Sequence, residues 1–400
     1  MNIILFDGKY RKNLLPLTFT RPTAELRVGI LTLREKWEKL FPEAKISFWT
    51  EEYLRRKYPA FETDDTVFIA GNVCGNQSLA GEIQSLNYGE CLFASGELIA
   101  LRGKKSDFAR VEDLSIKESA CAPVQIRYLY DIFLNNEKAL NDDYKLLVAG
   151  KQSQTLSPTV TIVGNPVRPD GLPAVFVEHK AHLECAVLNV QNGPVYIGKD
   201  VQIMEGSCIR APFAACEHAV VNMGSKIYGA TTLGPYCKVG GELNNVVMLG
   251  YSNKAHDGFL GNAVIGEWCN LGAGTTASNL KNDYSEIKIW NYAEERFVKT
   301  GLQFCGLIMG DHSKIGINSM LNTATVMGIA VNFFGSNFPK TFIPSFAKGS
   351  VAGFSSHELK QFYAMAETVM NRRGKTLTEI DKEIYATIFD ITAKYWRVGM

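Results

Sequence analysis

From residue 197 onward the chain places an apolar residue at every sixth position. Ile197, Ile203, Ile209, Ala215, Val221, Ile227, Leu233 and Val239 hold one phase without a break. The phase then slips by two residues. It resumes at Val247, passes Asn253, and continues through Phe259, Ile265, Leu271 and Ala277. After an interruption it returns as Met309, Ile315, Leu321, Met327 and Phe333. Glycines follow the same beat: Gly198, Gly234, Gly240, Gly266, Gly272, Gly310, Gly316 and Gly328 each come directly after a repeat position. A period of six is neither the ~3.6 of a helix nor the ~2 of a strand. It predicts a parallel β-helix, in which short strands alternate with tight turns and one side chain of each hexapeptide enters a prism-shaped core. The period does not reveal the hand. Residues 278–305 break the phase and carry Lys281, Asp283, Glu286, Lys288, Glu294, Glu295, Arg296 and Lys299, so they predict a polar loop extruded from one coil.

The first 150 residues follow a different pattern. Short apolar runs at Asn2–Phe6, Lys45–Trp49 and Thr66–Ala70 predict strands, and Cys91–Ala94 with Glu97–Leu101 predict a hairpin about Ser95 and Gly96. Helical spacing predicts helices over Thr23–Leu40 with Thr23 as N-cap, Glu51–Tyr58, Asn76–Leu86 and Val124–Leu147. Strand–helix alternation implies a Rossmann-like α/β domain with a mostly parallel sheet and its ligand at the carboxyl ends of the strands. The Ser-, Thr-, Pro- and Gly-rich residues 151–173 form the expected linker, and 174–347 the β-helix. Residues 348–400 predict two amphipathic helices, Ser356–Arg372 and Thr376–Trp396, broken at Gly374, which cap the solenoid.

Composition narrows the function class. With 42 Lys+Arg against 41 Asp+Glu the net charge is +1, which excludes a strongly basic nucleic-acid surface. No apolar run approaches the ~18 residues of a membrane span, and the start of the chain lacks the features of a signal peptide. The nine cysteines are scattered and include no CxxC pair, which argues against disulfides and zinc and for a reducing, cytoplasmic setting.

Two stretches carry candidate chemistry. The loop after the first strand, residues 7–22, brings Gly8, Lys9, Arg11, Lys12 and Arg21 to a place where cations and backbone amides can hold a triphosphate, or can simply form a basic surface loop. The second stretch, residues 250–275, sets His256 beside Lys254 and Asp257, with Asn270 and the glycines Gly272 and Gly274 one coil on. A neutral imidazole suits a general base, and the glycines let a backbone amide approach a developing oxyanion.

The series Lys254, His256, Phe259, Leu260, Gly261, Ile265, Gly266, Asn270, Leu271, Gly272, Ala273, Gly274, Thr275 and Asn279 resembles the acetyltransferase domain of the bifunctional glucosamine-1-phosphate N-acetyltransferase / N-acetylglucosamine-1-phosphate uridyltransferase family. Residues 15–29 resemble the short, divergent sugar nucleotidyltransferase domain of an alternative bacterial version of that enzyme. The resemblance implies a left-handed β-helix and a homotrimer with active sites between neighbouring solenoids. It also implies acetyl-CoA and UTP as co-substrates, Mg²⁺, and sugar phosphates and nucleotides as ligands. It makes His256 the catalytic base, Asn270 the residue positioning sugar and acetyl group, Ala273 with Gly272 the thioester contact, and Asn279 a sugar contact. Lys226, Lys254 and Lys281 compete, with Lys238, to clamp the sugar phosphate. Phe259 takes the place of a substrate-binding tyrosine. In the first domain the usual Gly-rich loop and Pro-Lys pair are absent, and Arg21 and Arg27 are the nearest cations; Asn72 stands where the family has a Mg²⁺-binding aspartate, and an amide is the poorer ligand. Two other readings stay open: a nucleotidyltransferase for another sugar 1-phosphate with the β-helix as an oligomerisation rod, and a non-catalytic sensor of sugar nucleotides. A β-helix carbonic anhydrase would need three converging histidines, which the spacing of His218, His256 and His312 does not supply.

Overall fold

The computed structural model describes residues 1–399. Strands β1 (Asn2–Phe6), β2 (Lys45–Trp49), β3 (Thr66–Ala70), β4 (Glu90–Ala94), β5 (Glu97–Gly103) and β6 (Ser115–Glu118) form one sheet in the order β2-β1-β3-β5-β4-β6. β1 runs parallel to β2 and β3, but β5 is antiparallel to both β3 and β4. Three of the five pairings are parallel and two antiparallel, so the sheet is mixed. The cause is the tight turn at Ser95 (φ 53°) and Gly96 (φ 75°), which folds β4 and β5 into a hairpin.

Helices α1 (Leu33–Leu40) and α2 (Gln77–Gln84) pack into the core of this domain, and α3 (Asp131–Leu134) and α4 (Asn136–Val148) lie against strands of the second half. Three helical expectations shorten. Thr23 does not cap a long helix: Thr23–Glu25 is one 3-10 turn, and α1 starts after Thr32, whose hydroxyl and the Glu35 carboxylate form a capping box. The residues between cannot be helical because their amides are claimed from outside. Asn136 Oδ1 accepts from Gly29 at 2.7 Å, and Asp143 accepts from Ile30 and Leu31 at 2.8 and 3.0 Å. Within Glu51–Tyr58 only Glu52–Leu54 forms a 3-10 turn. Val124–Ile126 is extended because Ile126 N donates to Asn72 O and Val124 O accepts from Cys74 N, and residues 128–130 turn into α3.

The second half is a left-handed parallel β-helix with three faces. Its ladder begins at Thr161–Val163, inside the expected linker, where that strand pairs with Val187–Asn189. The six-residue beat marks the inward positions as far as Val239. Beyond it two kinds of corner lose residues. Gly240 and Gly241 alone join Val239 to the next strand, and the strands Glu242–Gly250 and Phe259–Glu267 each run round a corner without a break. The inward series therefore becomes Leu243, Met248, Lys254, Leu260 and Ile265. Val247, Asn253 and Phe259, which the beat pointed inward, face out.

The second face of the prism is apolar on both sides. Outward Phe176, Tyr196 and Ala214 pack with Ile30, Leu31, Leu140 and Tyr144. Further along, Val247, Val264, Ile308 and Phe342 join the core of the N-terminal domain. Helices α5 (Leu359–Asn371) and α6 (Glu379–Thr392) are more than an end cap. Lys57 reaches Asp381 at 2.8 Å, Arg56 pairs with Glu383, and Phe362 and Tyr385 pack edge-on against His312. They tie the two larger units together. No helix among the described residues is long and apolar enough to cross a membrane.

Tyr236, Tyr251, Trp268 and His312 stack along the corner between second and third faces, and His312 is fully enclosed. Burial first, then the cations Lys314, Arg21 and Lys57, push its pKa well below the usual 6.5. A depressed folded pKa means that unfolding takes up a proton below the ordinary value. The contribution of the neutral imidazole is complete above about pH 6.5 and shrinks as pH falls. The unfolding free energy of the native protein should therefore fall relative to that of His312→Phe as pH drops from about 7.5 to about 5, measured by urea unfolding. A difference that stays constant across that range would contradict a buried neutral ring.

Candidate active site

His256 lies on the corner between the third and first faces, in residues 255–258, and its ring is exposed. The corner is held closely. Asn222 Nδ2 donates to Ala255 O at 2.7 Å, Lys254 Nζ donates to His256 O, and Gly274 N donates to Asp257 O at 3.0 Å. Three successive carbonyls thus each have their own donor. The coil beneath must be glycine: a Cβ on Gly240 would stand 2.3 Å from Ala255 O, and one on Gly241 2.8 Å from Asp257 Cα.

The pairing of Asn253 with Asn270 sets Ala273 beside His256 one coil on. Gly272 N donates to Ile315 O at 2.9 Å, and Gly274 N is spent on Asp257 O, so these glycines do not offer free amides. Ala273 N has no partner among the described residues. The amide available near His256 is therefore that of Ala273, with the glycines keeping the turn flat.

On the first face Lys226, Glu242 and Phe259 form one outward column. Lys226 is exposed and Phe259 half-buried. The Phe259 ring and Asn279 Nδ2 meet over Gly261, where a Cβ would lie 2.6 Å from each. Asn279 donates to Asn262 Oδ1 at 2.8 Å. Asn270 is exposed on the third face, across the corner from Phe259 and Asn279. Lys281 is turned into the extruded loop, where it donates to Glu286 O at 2.9 Å and Ser285 Oγ at 3.2 Å. Lys254 cannot clamp a phosphate at the surface: its side chain is 1% exposed, inside the prism. The structure adds Asn222, whose tie to Ala255 O spans stacked coils, and Glu242, which the shortened Gly240–Gly241 corner moves out of the six-residue phase. Glu242 stands between Lys226 and Phe259 and accepts from Tyr228 Oη at 2.5 Å.

The expected triphosphate loop is built differently. Arg11 is buried against Asp7 at 2.9 Å and also donates to Thr18 O. Arg21 makes a two-pronged pair with Asp311, at 2.6 and 3.1 Å, and reaches Glu267 at 3.0 Å. Arg27 donates to Leu249 O at 3.2 Å and to Ile30 O. These three arginines brace the domain and its seam with the β-helix rather than face a ligand. Burial raises the Glu267 carboxyl, and Arg21 opposes that rise. Gly8 is half-buried at the rim of the loop, and Lys9 is exposed beside Glu97 at 2.9 Å.

Asn72 is buried and donates to Ile126 O at 3.3 Å. The nearby Asp7 carboxylate already accepts from Arg11, Thr23 N and Thr50. Among the described residues no group of three His, Cys, Asp or Glu side chains could hold a metal. The donor set around Asn72 therefore does not fit Mg²⁺. A cleft of about 710 Å³ opens instead beside the α2 N-terminus, lined by Gln77, Ser78, Lys138, Asp142 and Lys145.

Comparison with known proteins agrees with the N-terminal architecture. Residues 3–152 match the family model described as sugar nucleotidyl transferase. The match covers the N-terminal domain and stops short of the β-helix. Over 149 residues the chain is 29% identical to the bifunctional sugar-1-phosphate nucleotidylyltransferase/acetyltransferase of Sulfurisphaera tokodaii, covering 37% of this chain and 36% of that protein. It is 25% identical over 270 residues to the bifunctional protein GlmU of Bartonella quintana, covering 59% and 52%. The chain thus spans about half or less of the curated relatives it matches. A solved Arabidopsis UDP-N-acetylglucosamine acyltransferase covers 60% of this chain and 82% of its own at 12% identity, with a TM-score of 0.21, too low to carry an argument.

If Arg21 is a brace, removing it leaves the Asp311 carboxylate, which is 2% exposed, without its counter-ion, held only by Thr20 Oγ1 and Glu267 N. Arg21→Ala should then lower the unfolding free energy by about 3–5 kcal/mol, as for other broken buried ion pairs. Urea denaturation measures this; a loss below about 1 kcal/mol would return Arg21 to a ligand-facing role.

Proposed function

We propose that the β-helix transfers the acetyl group of acetyl-CoA to the amino group of glucosamine 1-phosphate, and that the N-terminal domain transfers a uridylyl group from UTP to the N-acetylated product. The observation that carries the first reaction is the clamped corner at residues 255–257, which presents an exposed His256 beside the unpartnered Ala273 amide. The name of the Sulfurisphaera tokodaii relative, which pairs nucleotidyl transfer with acetyl transfer, supports the combination.

In this reading the sugar lies along the first face, with its phosphate toward Lys226 and its ring near Phe259 and Asn279. The amine attacks the thioester carbonyl carbon. His256 takes the proton that nitrogen loses as the N–C bond forms. The Ala273 amide donates to the oxygen that gains charge. The C–S bond then breaks, and the proton passes to the departing thiolate. Asn270, on the other side of the corner, steadies the acetyl group. A phenyl ring at Phe259 gives the sugar shape without a hydroxyl contact, at a cost of about 1 kcal/mol in binding. The assembly proposed is a homotrimer acting in the cytoplasm, which suits nine free cysteines.

The uridylyl step rests on the family match of residues 3–152. No metal-dependent step is assigned to Asn72. The inward commitment of Arg11, Arg21 and Arg27 favours one second reading: only the acetyl transfer is active, and the N-terminal domain is a brace.

One assay separates these. Glucosamine 1-phosphate, acetyl-CoA, UTP and Mg²⁺ are supplied together, and thiol and pyrophosphate are followed independently. The proposal expects both products, with thiol release reduced about 10²–10⁴-fold in His256→Ala. Thiol without pyrophosphate selects the second reading. A folded protein that releases no thiol contradicts the acetyl-transfer assignment.

A further inference from the structure

We propose that Lys254 is the positioning residue of His256, holding the corner from inside the β-helix so that the imidazole keeps one direction. This rests on the reading of His256 as the base.

Lys254 occupies the inward register position of Val239 in the coil below. An aliphatic side chain would fill that position at no electrostatic cost. A buried ammonium is unfavourable unless its hydrogen bonds are made. Here they are made to two main-chain carbonyls, Gly240 O at 3.2 Å and His256 O. Those carbonyls belong to the two stacked corners, one of which has only two residues. The short corner sends Gly240 O inward, and Lys254 couples it to the peptide plane that follows His256. Asn222 and Gly274 hold the carbonyls on either side, so Lys254 fixes the remaining torsion at the residue that carries the ring.

The same burial pulls the lysine down to about 8, with the Asp257 charge partly opposing it. The coils on either side face it with uncharged Val239 and Leu271. Above that pH the donor is a neutral amine, and its hold on His256 O weakens. Acetyl transfer should show an alkaline decline that belongs to Lys254, not to His256.

Lys254→Met keeps the volume and removes the donor. Its melting temperature is expected to match or exceed that of the native protein, because a buried charge is gone. Its kcat should fall by about 10²-fold, the scale of a small misplacement, while KM for acetyl-CoA changes little. Its alkaline decline near pH 8 should vanish. Should the variant fail to fold, the native protein labelled with ¹³C-lysine supplies the test: the Lys254 Cε signal and the Asp257 amide should titrate together. A native-like kcat and pH profile in folded Lys254→Met, or an Asp257 amide that does not follow Lys254, overturns the proposal. Native-like activity in His256→Ala overturns the catalytic reading itself, and the two failures are told apart by which variant remains active.

Discussion

The second face of the β-helix is buried from both sides. Its inward side chains fill the prism, and its outward ones, from Phe176 and Tyr196 to Val264 and Phe342, pack against the N-terminal domain. A surface that is apolar on both sides cannot be left to water, so the α/β domain, the solenoid and the C-terminal helices become one packed body. Polar groups caught in the seam need partners there. Arg21 finds Asp311 and Glu267, and Asn136 donates to Ala230 O at 2.7 Å. The seam thus decides what Arg21 and Arg27 do, and it leaves the first and third faces, with the corner between them, open for chemistry.

That corner is where coil geometry and chemistry meet. A coil that loses residues at one turn brings its neighbours' carbonyls inward and demands glycine where chains touch. Gly240 and Gly241 meet that demand, and Lys254 answers the carbonyls. The outcome is a histidine on a rigid step, flanked by an amide that the coil itself does not need. Rigidity is useful at such a place because a base must already point at its proton when the substrate arrives.

Much of this was legible in the sequence where one residue type had one task. The beat from Ile197 to Val239 identified the β-helix because each marked residue only fills the prism. Past Val239 the beat misled, since Val247 is apolar for the N-terminal domain and Phe259 for the first face, while the true inward residue was a lysine. The residues of the motif around His256 lie together because the motif is local. The N-terminal arginines were misread because Arg21 finds its carboxylates 290 and 246 residues away, beyond any motif. The long helix from Thr23 failed for a related reason, its amides being taken by Asn136 and Asp143 from a distant helix.

The central claim is that the corner at His256 and the turn beside it form a thioester site. Amide hydrogen exchange, with and without saturating acetyl-CoA, tests it most directly. The account predicts slowed exchange in residues 255–258 and 272–275 and none in β1, β2 or β3. Slowing confined to residues 3–152, or no change at the corner, would contradict it.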